Sequence, residues 1–371
     1  MASTITKKDW VAQFDIVGTP VISDFTFEID KQSSKSNYVY SRMRLGVNCG
    51  PKHGTVWCEM MGGYSPDNPY SIRKASRKED GSPDFEHMAV IEWKDRLDES
   101  AVETVANMAL ISVGIEKTNL GKTYIKKFLS EYDAIAYIKE CLTDEMMIRV
   151  RGKLEYSTYN GNTTVRKTIT SIYITDKEPY ANFTQSILID RDSASLTADN
   201  IDKDKGVMYV NARVLDYVKE FNGHEIKGNF PYNMKFEQAM PIDSPEKCKK
   251  AFDLLYKVKK GVTQINMEGK FVESGATIKP TIEDLPDDVK MLLDCRLINE
   301  EEALAKCSIN GSVERRMVLT SPVIKNGNIL KYEERYSEDE LTFDFDDDND
   351  DDEDFVDDGK VYDDADLDWL N

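Results

Sequence analysis

The chain is poor in the residues on which nucleophilic catalysis and secreted scaffolds are usually built. It has three histidines in 371 residues, none near a serine or cysteine in a strand-turn-helix context, so no nucleophilic constellation and no enzyme are expected. Its six cysteines, Cys49, Cys58, Cys141, Cys248, Cys295 and Cys307, are scattered. They lack the spacing of a disulfide framework, and reduced thiols in a cytoplasmic setting are expected. Long apolar runs are missing: stretches such as MALISVGI fall far short of the ~20 residues of a membrane helix, so no membrane partner is expected. MASTITKKDWVAQF lacks the apolar h-region of a secretory leader.

Motifs that would imply chemistry are incomplete. Cys49-x3-His53-x4-Cys58 supplies three zinc ligands without a fourth, and a turn between two strands accounts for it equally well. Lys78-Glu79-Asp80-Gly81 matches the K-x-D-G of nucleotidyl ligases, but no strand is predicted before it to present the lysine. The acidic stretch lacks the turn glycine of an EF-hand. The helical stretch 287–306 could imitate a helix-turn-helix, but its second helix would start Asn299-Glu300-Glu301-Glu302 and repel phosphate. No metal and no other cofactor is expected.

A uniform charge is also missing. The formal net charge is −20, yet residues 338–371 alone carry 18 Asp and Glu against one Lys, a net of −17. The rest of the chain is nearly neutral at −3. The acidic total therefore describes one segment and leaves an anionic partner open for the body. A run this acidic repels itself and buries too little apolar surface to fold, so residues 336–371 are expected to be a disordered tail. Its tip is apolar: Leu367, Trp369 and Leu370.

What is present reads as mostly β. FDIVGTPVISDFTFEID, YVYSRMRLGVN and GTVWCEMMGG alternate like strands between polar or Gly-containing breaks. Asn160-Gly161 and Asn222-Gly223 sit between alternating segments and predict hairpins with type I′ turns. An internal repeat relates DAIAYIKECLTDEMMIRVRGKLEYS to KAFDLLYKVKKGVTQINMEGKFVES: a helix, a polar break, a strand, then Gly-Lys and an apolar residue. Gly152 aligns with Gly269. Ala134, Ile135 and Ile138 align with Ala251, Phe252 and Leu255. Ser130-x-x-Asp133 and Ser244-Pro245 mark the helix starts. Three strands precede each helix and two follow, which is the order of an OB-fold. The prediction is two OB-fold-like five-stranded barrels with helical insertions, over 10–178 and 179–335, followed by the tail.

Sorting strands by parity gives each an apolar face and an opposite face of aromatics and cations. Val39, Met43, Leu45 and Val47 oppose Tyr38, Tyr40, Arg42 and Arg44. Ile148, Val150 and Leu154 oppose Arg149, Arg151 and Lys153. Met208, Val210, Ala212 and Val214 oppose Tyr209 and Arg213. Trp57 is also expected to face outward. Aromatics that stack on bases, among cations that track phosphates, are what sequence-tolerant single-strand binding requires. Asn266 and Glu268 stand where the first repeat has Arg149 and Arg151, so the first barrel is expected to bind more strongly.

RVRGKLEYSTYNGNTTVRKTITSIYI resembles the fourth-to-fifth strand hairpin of bacterial and phage single-stranded DNA-binding proteins. The resemblance covers about thirty residues of the body together with the acidic tail. It implies a protein that binds single-stranded DNA in replication, recombination or repair, and a tail whose Leu367, Trp369 and Leu370 recruit replication or recombination enzymes. The tip departs from the bacterial Asp-Asp-Asp-Ile-Pro-Phe, and two barrels in one chain depart from the one-barrel bacterial subunit. A phage-encoded relative, acting in the host cytoplasm, fits better. The alternative is a viral structural or assembly protein whose β domains have no nucleic-acid role.

Overall fold

A computed structural model describes residues 5–343, except 160, 222, 275–276, 279–286, 295–299, 301–308 and 311–313. Ten strands carry the architecture, numbered here in chain order. The first five are β1 (Ala12–Val21), β2 (Val39–Asn48), β3 (Thr55–Tyr64), β4 (Ile148–Tyr159) and β5 (Asn162–Ile174). The second five are β6 (Tyr180–Ile189), β7 (Val207–Phe221), β8 (His224–Ala239), β9 (Val262–Ser274) and β10 (Glu314–Pro322). Helix α1 (Glu131–Cys141) lies between β3 and β4, and α2 (Pro245–Leu255) between β8 and β9.

The pairing closes two rings. β1 pairs antiparallel with β2 and β4, β2 with β3, and β4 with β5, while β3 and β5 close the ring in parallel. β6 pairs antiparallel with β7 and β9, β7 with β8, and β9 with β10, and β8 and β10 again close in parallel. Both rings follow the five-stranded Greek-key order of the OB-fold. Both predicted hairpins form; Asn160 and Asn222, and with them the turn type, lie outside the described residues. Gly161 and Gly223 take φ of +73° and +76°, a region open to glycine at no steric cost.

The repeat has a packing cause. Gly152 faces Phe14 across β1–β4, and Gly269 faces Phe183 across β6–β9. A Cβ on Gly152 would fall 2.6 Å from the Phe14 ring, and one on Gly269 would fall 2.2 Å from the Phe183 ring. Each barrel thus lays an aromatic ring over a strand glycine, and no larger residue fits. Phe14 and Phe183 are themselves register partners where β1 and β6 pair antiparallel, so equivalent residues meet and the barrels are related about that point.

The parity assignments place most of the core, but Val39 is only half-buried, and Tyr40 and Arg42 on the opposite face are buried. Met43, Leu45, Val47, Ile148, Val150, Leu154, Met208, Val210, Ala212 and Val214 are all buried. At α1, the Ser130 Oγ accepts from the Tyr132 N–H, but Asp133 does not complete a reciprocal box. Its carboxylate takes the Arg96 Nε–H instead, at 3.0 Å. At α2, Pro245 occupies the first turn, and the Ser244 side chain makes no cap.

Between β3 and α1 the chain adds two hairpins that the sequence reading did not resolve, Ile72–Arg77 with Pro83–Ile91 and Ile111–Lys117 with Thr123–Phe128. The first has its own small core of Ile72, Ile91, Val105, Leu110 and Leu129. A strand therefore does precede Lys78, contrary to expectation. The lysine nevertheless sits exposed at a turn, where Gly81 N–H donates to its carbonyl.

The barrels also lock together away from β1 and β6. The turn between β2 and β3 docks on β9: the His53 imidazole bonds the Phe271 carbonyl at 2.8 Å, and Glu273 N–H donates to the His53 carbonyl. The Lys167 ammonium on β5 pairs with the Glu273 carboxylate at 2.7 Å, both side chains buried. The Cys49 and Cys58 thiols donate to the carbonyls of Val47 and Leu45. Burial pushes the Cys49 thiol up to about 12.

The expected start of the tail at 336 is corrected. Tyr336 ends a strand, Lys331–Tyr336, that pairs with β9. Tyr336 and Leu341 are buried with Ile5, Leu188, Leu215 and Val262, and the Phe343 ring lies 5.2 Å from that of Phe230. These apolar residues, spaced among the first acids, are what keeps the chain packed through Phe343. Residues 344–371, with Leu367, Trp369 and Leu370, lie outside the described residues.

Candidate nucleic-acid interface

In an OB barrel the face of the second and third strands, with the flanking loops, is the usual ligand surface. In the first barrel these strands are β2 and β3. Tyr38 and Tyr40 stack with centroids 6.5 Å apart and rings 14° from parallel. Tyr38 is half-buried and Tyr40 buried. Arg44 is half-buried and in register with Glu59, and burial together with the Arg42 charge lowers its pKa. Trp57 lies opposite Gly46, where a Cβ would sit 3.2 Å from the indole. The glycine lets the ring lie flat across the strand pair while leaving it 40% exposed.

Arg42 departs from expectation. It points away from the core, as parity requires, but is 2% exposed. Strand Phe27–Gln32 runs beside β2 and places Glu28 opposite Arg42. The carboxylate takes the Arg42 Nε at 3.0 Å and Nη2 at 2.9 Å. Alternation reports which way a side chain points, not whether another strand covers it.

A second patch lies on β4, separated from β2–β3 in the ring by β1 on one side and β5 on the other. Arg149 and Arg151 converge on one carboxylate. Asp15 receives a two-pronged contact from Arg149, the Arg151 Nε at 3.2 Å and the Tyr180 hydroxyl at 3.0 Å. Burial by itself would raise the Asp15 carboxyl, but the hydrogen bonds from Arg149 and Tyr180 and the two arginine charges hold it below the usual carboxylate range. Asp15 is therefore ionised at neutral pH, and the two arginines carry a net of one positive charge. Lys153 is exposed beside them, and no ion pair to it is found among the described residues.

In the second barrel, Tyr209 and Arg213 lie on β7, as parity required. β8 completes this face. Asn211 stands opposite Lys235, and Arg213 opposite Asn233. Lys235 Nζ sits 3.9 Å over the Tyr209 ring, a cation–π contact. Asn211, Arg213, Asn233 and Lys235, with Asp190 and Ser193, line a groove of about 450 Å³. Asn233 and Lys235 were missed, although NFPYNMKFEQA alternates Phe230, Tyr232, Met234 and Phe236 with Asn233, Lys235 and Glu237, and sorting it would have found them.

In the second barrel the position equivalent to Arg149 is closed, while Glu268, equivalent to Arg151, stays exposed. Asn266 is buried and accepts from the Ser186 hydroxyl at 2.8 Å. Strand Lys331–Tyr336 and the N-terminal segment cover β9 there, and Gln264 Nε2 donates to the Lys8 carbonyl at 3.0 Å. A buried arginine at that position would lack a partner, which gives a physical reason for the amide.

A family model described as YorF matches residues 113–270, less than half of the chain. No curated protein matches. Among solved structures, the chain is similar to the single-stranded DNA binding protein from Thermus aquaticus. The wild-type form shows 9% identity and a TM-score of 0.31 over 71% of this chain and 86% of that one. A deletion mutant of the same protein gives the same identity and TM-score, with 88% of its chain covered. The assignment of two OB barrels rests on the strand pairing itself, not on this likeness.

Proposed function

We propose that the chain is a non-catalytic protein that binds single-stranded DNA with little regard to sequence and serves replication, recombination or repair. One observation carries the reading: both closed rings turn aromatic and cationic side chains outward on or directly beside their second and third strands, Tyr38, Arg44 and Trp57 in one and Tyr209, Arg213 and Lys235 in the other. Trp57 is the stacking platform of the first barrel. The Arg149–Arg151–Lys153 patch supplies phosphate contacts, less strongly than two unpaired arginines would.

Trp57→Ala is expected to weaken oligo-dT binding by about 1–3 kcal/mol, the worth of one stacked base. Stacking should also quench tryptophan emission in the native protein and leave Trp57→Phe nearly unquenched. Equal quenching in both would move the platform elsewhere.

Asp15→Asn is expected to tighten binding and steepen its salt dependence. Removing the carboxylate releases one net positive charge for phosphate, and each added phosphate contact on a single strand changes the slope of log K against log salt by about 0.7. Because the Asp15 pKa is lowered by folding, its stabilising effect is complete above the ordinary carboxylate range and is lost as pH falls through the folded value. The variant should therefore lose some stability at neutral pH and show less acid sensitivity. An unchanged salt slope would take Arg149 and Arg151 out of the site.

In the free protein the acidic tail competes with phosphate for the cationic faces, and once DNA displaces it the tail acts in trans. In this reading Leu367, Trp369 and Leu370 anchor in an apolar pocket with a basic rim on a replication or recombination enzyme, while the acids steer the encounter.

A further inference from the structure

The groove of the second barrel is not empty of charge in the free chain. Glu338, the first residue of the acidic run, forks onto Arg213, one of the residues lining it, with Oε2 2.8 Å from Nη1 and Oε1 3.1 Å from Nη2. We infer that this groove is a phosphodiester subsite of the single-strand track, and that Glu338 holds its arginine, Arg213, until the strand arrives. The inference rests on the function proposed above and adds to it a site and a gate.

The contact has the form expected of a stand-in. A guanidinium grips carboxylate and phosphate through the same two-pronged geometry. The two partners are unequally held: the Arg213 side chain is 17% exposed and that of Glu338 51%. Asp190 also reaches Arg213, with Oδ2 3.1 Å from Nη2, but its Oδ1 accepts from the Asp192 N–H and the Ser193 hydroxyl. Asp190 therefore belongs to its loop and orients the arginine. Nη1 is the prong that a phosphate can take over.

The surroundings suit a nucleotide. Asn211 and Asn233 offer amides that can bond a base edge or a sugar without selecting among bases, and Lys235 on Tyr209 adds a cation beside a ring. The volume falls in the range of small-molecule sites, about 300–1,000 Å³. Asp190 and Asp192 in the lining oppose a phosphate, so the groove favours one only when Glu338 has left. The gate is tethered, since Tyr336 and Leu341 on either side of Glu338 are buried. Displacement therefore swings one side chain aside and leaves the segment in place.

The test is oligo-dT binding to the full chain at low salt, with Glu338→Gln made in the native and Arg213→Met backgrounds. Glu338→Gln is expected to tighten binding about two- to fivefold, as loss of one exposed ion pair would give, and to change nothing once Arg213 is gone. Lys235→Met, which leaves the Glu338 pair intact, is expected to weaken binding and serves if Arg213→Met melts early. A native protein that binds while Glu338→Gln does not tighten it, or tightens it equally in both backgrounds, overturns the inference and leaves the function standing. A native protein that binds no single strand overturns both.

Discussion

Alanine at Glu273 should destabilise the protein by about 3–5 kcal/mol, the usual cost of leaving a buried charge without its partner. Lys167 is buried, and its ammonium sits 4.9 Å over the Phe271 ring as well as on Glu273. Neither water nor another carboxylate takes over easily in such a place. The pair joins β5 of the first barrel to β9 of the second. The same carboxylate also approaches the backbone N–H of Trp57, at 3.4 Å, so its loss should loosen the strand that carries the stacking platform and the barrel contact together. Replacing both partners, Lys167→Met with Glu273→Leu, should recover most of the stability, because desolvation then costs nothing. Urea unfolding of the two single variants and the double variant checks this. A single-variant loss below about 1 kcal/mol, as for an exposed pair, would mean that water reaches the pair and that it does not hold the barrels.

The second large effect belongs to the tail, and the place of the cut decides its sign. Ending the chain after Phe343 removes residues with a net charge of −14 and leaves every described residue in place. In the proposed function these acids compete with phosphate for the cationic faces, so this truncation should tighten oligo-dT binding. The effect should be largest at low ionic strength, where the Debye length is about 30 Å instead of about 8 Å. Ending the chain after Arg335 should instead lower stability, since it removes Tyr336 and Leu341 from the cluster with Ile5 and Val262. Trp369→Ala removes no charge. It should abolish capture of a replication or recombination enzyme while leaving DNA affinity nearly unchanged. Identical DNA affinity with and without 344–371 at low salt would remove competition from the tail's role.

Much of this was legible in the sequence because its causes are local. Alternation fixed which side chains enter the core, and Asn-Gly marked both long hairpins. The repeated glycines at 152 and 269 pointed to equivalent strands before their aromatic partners were known. What could not be read was long-range cover. Arg42 is spent on Glu28 because a separate strand runs alongside, and Asn266 is sealed by segments from both ends of the described chain. Arg149 and Arg151 share Asp15, a residue 134 positions from Arg149 in the chain. The hairpins between β3 and α1 were obscured because their strands are short, charged and exposed on one side. The boundary at Phe343 was missed because overall acidity was weighed above three apolar residues spaced to reach one core.

The most direct measurement is a titration of the full chain with oligo-dT and with a duplex of equal length, across a series of salt concentrations. The single strand should bind more tightly at every salt, and its affinity should fall linearly in log–log form through counterion release. Equal affinity for the duplex, or no binding to either at low salt, would contradict single-strand binding by these barrels.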